Sequence, residues 1–227
     1  MSLKILFVAA EETEAEALRK MKNTLLIPEG LLSQGYEAAI LVTGMGGIAT
    51  AWALTKWFSS NQAPDIAINV GIAGSYRDDI KIGDVVLPVS DLFADAGVET
   101  RKGFVTLNEE GMGDFNKFPF TDGKILAENS FIELAKKTIR PVNAITVNTI
   151  TGSFGSIEVI RQRFNPDIET MEGASFFYVC SRERIPFMAV RSISNMVEPR
   201  DKRNWNIGLA LERLTLKLEE FLSDPGL

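Results

Sequence analysis

The chain has 227 residues, 45% hydrophobic and 24% charged, with 24 Lys and Arg against 30 Asp and Glu for a formal net charge of −6. That length buries a full core without disulfide or metal support, and the acidic balance argues against a nucleic-acid or anionic-membrane binder. With no histidine in the chain, Ser-His-Asp and Cys-His catalysis and His-ligated zinc drop out, leaving Asp, Glu, Lys or Tyr for acid–base work.

Short apolar runs alternate with helical patterns along the chain, which predicts an α/β fold in a single domain over residues 1–227. Lys4–Ala10 reads as a first buried strand, and Thr13–Met21 as an acidic helix. Its apolar run is too short for a signal peptide or a membrane span. Ala38–Val42 is a strand entering the glycine turn Thr43–Gly47, followed by a helix over Ala49–Phe58. Asp65–Val70 is a strand ending in the turn Gly71–Gly74, and Asp84–Val89 is another strand. Gly97–Phe120 reads as a long loop or hairpin whose Phe104, Phe115, Phe118 and Phe120 need a surface to cover. A helix over Gly123–Lys137, a strand over Ala144–Thr149 and a helix over Ile157–Phe164 follow. The chain closes with a helix over Glu172–Glu183, a strand over Phe187–Ile193 and a helix over Trp205–Leu222 that docks one leucine-rich face. The lone cysteine, Cys180, lies in the apolar run Phe176–Cys180 and reads as a buried small hydrophobe. A chain without a second cysteine suits a reducing, cytoplasmic setting.

The densest chemistry lies in Glu169–Asn195, where a carboxylate at a helix start (Glu172) precedes Arg191 and Asn195 at the end of the next strand. Ligands of α/β sheets bind outside the carboxyl ends of the strands, so these groups are expected to share one small-molecule crevice. Of the acids after the first strand, Glu11 and Glu16 read as complements to a helix dipole. Thr43–Gly47 lets a backbone approach a ligand closely or hold an anion, although a plain tight turn explains it equally well. Ile72, Ala73 and Gly74 suggest a flat wall for a planar group, and Met171-Glu172 a carboxylate able to take two adjacent hydroxyls.

In order along the chain, these pieces resemble the nucleoside phosphorylase and nucleosidase superfamily: a first strand ending in E-x-E, GIAG before KIGDVVLP, the MEG helix start, and VRSISN. The resemblance implies a three-layer α/β/α fold with a mixed central sheet. The layout is closely similar to methylthioadenosine/S-adenosylhomocysteine nucleosidases. That likeness implies Glu14 as the water-activating base, Arg191 as the arginine beside it, and Met171-Glu172 as the ribose-binding pair, with the purine near Ile150, Thr151 and Gly74. It also implies no metal or cofactor, and a homodimer or higher homo-oligomer.

Adenine-specific members end the VR-x-IS motif in Asp where this chain has Asn195. Together with Gly97–Gly113, Thr146–Ser153 and Ser194–Ile207, this makes the chain resemble futalosine hydrolases, which remove hypoxanthine from futalosine on a route to menaquinone. The resemblance implies that Asn195 donates to O6 and N7 of the departing hypoxanthine, where a protonated Asp would suit adenine. The alternatives are the adenine-type nucleosidase and a purine nucleoside phosphorylase. A carboxylate tail on the substrate needs a cation, for which Arg200, Lys202 and Arg203 are candidates, solvated surface charge being the simpler reading.

Overall fold

The computed structural model describes residues 2–22, 25–27, 30–32, 35–101 and 103–224. Strand β1 (Leu3–Ala9) has no polar face: Ile5 through Ala9 are all buried, as a run covered on both sides requires. It pairs in parallel with β4 (Tyr36–Val42) on one side and β5 (Ile66–Ser75) on the other. Beyond β4 lies a short antiparallel pair absent from the sequence reading, β2 (Leu25–Ile27) and β3 (Gly30–Leu32).

The chain leaves β1 through α1 (Glu12–Arg19) to β4, then returns through α2 (Gly47–Ser60) past β1 to β5. Right-handed crossovers in opposite directions put α1 and α2 on opposite faces of the sheet. Helix α6 (Ile207–Leu222) packs with α1, and α5 (Gly173–Glu183) packs with α2. The result is the expected mixed sheet between helical layers.

The sheet is not open. Strands β6 (Val85–Asp91), β11 (Arg140–Thr146) and β12 (Ile168–Thr170) continue it, and β13 (Phe187–Met196) pairs with both β5 and β6. The path β5–β12–β11–β6–β13 therefore closes on itself. Closure explains two corrections. Gly71–Gly74 is strand and not turn, because β5 continues to Ser75 and its glycines sit where neighbouring strands and side chains approach closely. The strand Phe187–Ile193 likewise extends to Met196, since β5 offers it a partner throughout.

A third correction falls at the expected helix Gly123–Lys137. Asp122 and Gly123 both take positive φ (48° and 75°), the geometry of a two-residue hairpin turn, and join β9 (Phe120–Thr121) to β10 (Lys124–Leu126). Only Ser130–Ala135 (α3) is helical there, capped by Asn129, whose side chain accepts from the amides of Phe131 and Ile132. The stretch Gly97–Phe120 holds the hairpin β7 (Gly97–Thr100) and β8 (Gly103–Thr106). Its Phe120 stacks between Phe115 and Tyr178, whereas Phe118 stays exposed. Strand 144–149 ends at Thr146, and α4 (Phe154–Phe164) begins earlier than expected, behind the cap Ser153. Among the described residues no helix is long and apolar enough to cross a membrane.

Candidate active site

A cavity of about 200 Å³ opens where β1, β5, β11, β12 and β13 end. Its lining includes Glu14, Ile72, Ala73, Gly74, Ile150, Met171, Glu172 and Asn195. Residues more than 150 positions apart in the chain are thus brought to one crevice. Arg191 and Thr151 stand behind the lining: both are buried, and neither forms part of the wall.

Glu14 sits in the first turn of α1, just past the end of β1. Its Oε2 accepts from the amides of Ala10 (2.9 Å) and Glu11 (3.3 Å), and its Oε1 from that of Ile72 (3.1 Å). A Cβ on Gly71 would stand 2.5 Å from Oε1, so glycine in the middle of β5 is what admits the carboxylate. Burial pushes the Glu14 pKa up, against the opposing pull of Arg191 and the three amides. A held, partly desolvated carboxylate with a raised pKa has the properties of a general base.

Arg191 does not bond to Glu14. Its guanidinium donates to the carbonyls of Asn69 (2.8 Å) and Val190 (3.2 Å) and to Asn69 Oδ1. The Asn69 amide in turn donates to the Val8 carbonyl across to β1. Arg191 is thus a buried cation that acts through its field on Glu14, Glu172 and Asp91, which offset the desolvation that lowers its own pKa. This anchoring keeps Arg191 beside Glu14 with no hydrogen bond between them, because a fully buried guanidinium must satisfy its donors close by.

Glu172 precedes the first residue of α5. Its Oε1 accepts from Gly46 N–H (2.8 Å) and its Oε2 from Met171 N–H (3.3 Å). The Thr43–Gly47 loop therefore presents an amide to the protein's own carboxylate, and Gly44 and Gly46 hold the positive φ (88° and 89°) that this path requires.

A β-bulge shapes the other end of the cavity. Ile193 pairs with Ala73 but Asn195 pairs with Gly74, so Ser194 is the extra residue and Asn195 is turned into the site. Across β5, Gly74 also pairs with Glu169 of β12. Glu169, Gly74 and Asn195 therefore form one row, an acid and an amide on either side of a residue without a side chain. A Cβ on Gly74 would come within 3.2 Å of Asn195 Nδ2 and 2.9 Å of Val197.

The Asn195 amide has one possible orientation. Its nitrogen faces the Met196 carbonyl (3.0 Å), which only accepts, and its Oδ1 accepts from Ser194 Oγ (2.8 Å). The second N–H remains for a ligand. Glu169 accepts from Tyr76 Oη (2.7 Å) and Thr151 N–H (3.0 Å), and burial raises its pKa. Sequence reading assigned Glu169 no role. The available signal was an acid in Ile168–Thr170, where both neighbours are buried.

Four acids, Glu11, Glu14, Glu169 and Glu172, line the cavity, and among the described residues no lysine or arginine does. Glu16 instead pairs with Arg19 on the surface. Of the three basic candidates, Arg203 is held by Asp201, whereas Arg200 stacks on Trp205, 5.2 Å from its ring, and Trp205 lines the cavity. No metal-binding cluster occurs among the described residues.

The family model of the phosphorylase superfamily matches residues 4–223. A futalosine hydrolase of Streptomyces coelicolor is 28% identical over 191 residues, covering 81% of this chain and 77% of that protein. Among solved structures, a mutant 5′-methylthioadenosine/S-adenosylhomocysteine nucleosidase of Helicobacter pylori, holding 5′-methylthioadenosine, superimposes with a TM-score of 0.80 at 18% identity, covering 98% of this chain and 99% of that one. The futalosine hydrolase of Helicobacter pylori gives 0.73 at 18% identity, covering 98% and 96%. These structural likenesses establish the fold.

Proposed function

The chain belongs to the phosphorylase superfamily, and from that premise we propose that it is a nucleosidase hydrolysing the N-glycosidic bond of futalosine. The products are hypoxanthine and dehypoxanthinyl futalosine, in menaquinone biosynthesis. The row Glu169–Gly74–Asn195 carries this reading. Hypoxanthine presents an N1–H donor beside the acceptors O6 and N7. A carboxylate that still has free lone pairs and an amide with one free N–H, flanking a bare Gly74, match that edge. Adenine offers an acceptor at N1 and a donor at N6, the reverse order. The 28% identity to a futalosine hydrolase points the same way.

In this reading Glu172 holds the ribose hydroxyls and Met171 packs beneath the sugar. Glu14 takes a proton from water as it attacks the anomeric carbon. Positive charge grows on the sugar as the C–N bond breaks, and the acidic lining stabilises it. The pair of bonding electrons leaves with the base, where O6 takes up charge and Asn195 donates to it. Hydrolysis is favoured over phosphorolysis because a phosphate dianion in this cavity would face four acids and, among the described residues, no lining lysine or arginine. The Arg200–Trp205 stack supplies a cation and a flat apolar surface for the carboxylate tail.

Around the cavity, Met45, Ile48 and Trp52 expose apolar surface, Ile48 to 86%. This supports a homo-oligomer in which a second copy covers α2. Incubating the purified protein with futalosine, with and without phosphate, tests the whole reading. Hypoxanthine release independent of phosphate supports it, and adenine release from methylthioadenosine with no turnover of futalosine replaces it with the adenine-type activity.

A further inference from the structure

Helix α5 begins without help from the residue in its capping position. An N-cap side chain ordinarily accepts from an amide of the first turn, but Glu172 directs both oxygens elsewhere, to Gly46 and Met171. The first-turn amides are met by other strands. Gly173 N–H donates to Thr170 Oγ1 (3.2 Å), and Ala174 N–H donates to Thr146 Oγ1 (2.7 Å) on β11. The Thr146 hydroxyl in turn donates to Asp91 Oδ1 (3.0 Å) at the end of β6, which also accepts from Leu92 N–H (2.8 Å). Asp91 Oδ2 is buried with no hydrogen-bond partner and fills the space a Cβ on residue 173 would need, so only glycine fits there.

We infer that Thr146 and Asp91 are positioning residues that cap α5 in place of Glu172, leaving the Glu172 carboxylate free for the ribose. This rests on the proposed role of Glu172. Without the Thr146 hydroxyl, the amide of Ala174 is orphaned two residues from the Glu172 carboxylate, and Glu172 swings inward to cap its own helix. Its grip on the sugar is lost while Glu169 and Asn195, whose hydrogen bonds do not involve Thr146, keep their places in the base-binding row.

The test is calorimetric binding of inosine and of free hypoxanthine to the wild type, Thr146→Val, Thr146→Ser and Glu172→Ala. Thr146→Val is expected to weaken inosine roughly tenfold and to leave hypoxanthine unchanged, with Thr146→Ser restoring the inosine affinity. Parallel loss of both ligands, or a Thr146→Val protein that binds inosine normally while Glu172→Ala does not, overturns the inference. If Glu172→Ala itself binds inosine normally, the sugar-binding role of Glu172 falls first and the inference falls with it.

Discussion

Replacing Asn195 by Asp should invert the preference between purines, and the local hydrogen bonds set the size of the effect. In the native site the amide nitrogen donates to the Met196 carbonyl at 3.0 Å and has one N–H left over, while Oδ1 is occupied by Ser194 Oγ at 2.8 Å. Aspartate puts an oxygen opposite the Met196 carbonyl. Two acceptors at that distance repel in a buried position, so the new carboxyl takes up a proton and donates it to Met196. No donor then remains for O6 and N7 of hypoxanthine. Leaving a buried polar group unpaired costs about 1–3 kcal/mol, or roughly 5- to 150-fold in kcat/KM for a hypoxanthine nucleoside. The oxygen that replaces the amide nitrogen, its proton given to Met196, turns a lone pair to the ligand and accepts from the 6-amino group of adenine, so the adenine nucleoside should gain as the hypoxanthine nucleoside loses. Measuring kcat/KM for both substrates with both proteins decides it. A variant whose hypoxanthine preference stays within about threefold of the wild type would refute the base-reading role of Asn195.

Glu14→Gln should lower kcat by about 10²–10⁴-fold with little change in KM, read from steady-state kinetics. Because burial raises the Glu14 pKa, the base form is lost at a higher pH than for an ordinary glutamate, and wild-type kcat should fall on the acid side above the usual carboxylate range. Gly71→Ala places a Cβ 2.5 Å from Glu14 Oε1 and should reproduce the Glu14→Gln kinetics in a protein that still binds hypoxanthine, as calorimetry would report. Asp91 is lifted from 3.8 to about 7 by burial. A raised pKa stabilises the fold most below the unfolded value and loses that contribution as pH rises through the folded one. Between pH 4 and 7 this single group should remove about 3 kcal/mol of stability, and denaturant melts of Asp91→Asn should lack that loss. Arg200→Ala should raise KM for a substrate bearing a carboxylate tail and leave KM for inosine unaltered, which paired kinetics would check.

Most of the layered architecture is legible in the chain because β1, β5 and β13 are apolar runs long enough to be covered on both sides, and α6 repeats its leucines at helical spacing. The closure of the sheet is not. It depends on β13 finding two partners and on a bulge at Ser194, and neither leaves a mark in hydrophobic periodicity. For the same reason Gly71 and Gly74 look like turn residues, although their function is to let Glu14 and Asn195 come close to a strand. The hairpin at Asp122-Gly123 carried a readable signal that the helical pattern of the following residues obscured. In the site, Glu172 and Asn195 stand out by their places at a helix start and a strand end, and Glu14 because its motif resembles a family. Glu169 becomes significant only through its pairing across β5, a contact between residues 95 positions apart. Arg191 also stands out by its place near a strand end, but its partner Asn69 lies in the middle of a buried strand, where nothing in the local sequence marks it.

Strand β12 is only three residues long, yet Glu169 belongs to it and Met171 and Glu172 follow it directly. In the proposed reading, the group facing the purine and the group facing the sugar are therefore mounted on one short rod, clamped by β5 on one edge and β11 on the other. Such a mount works as a caliper with fixed jaws. On that reading it admits β-ribosides whose ring-to-ring separation equals its own span, and an α-anomer of identical composition meets one jaw only by leaving the other.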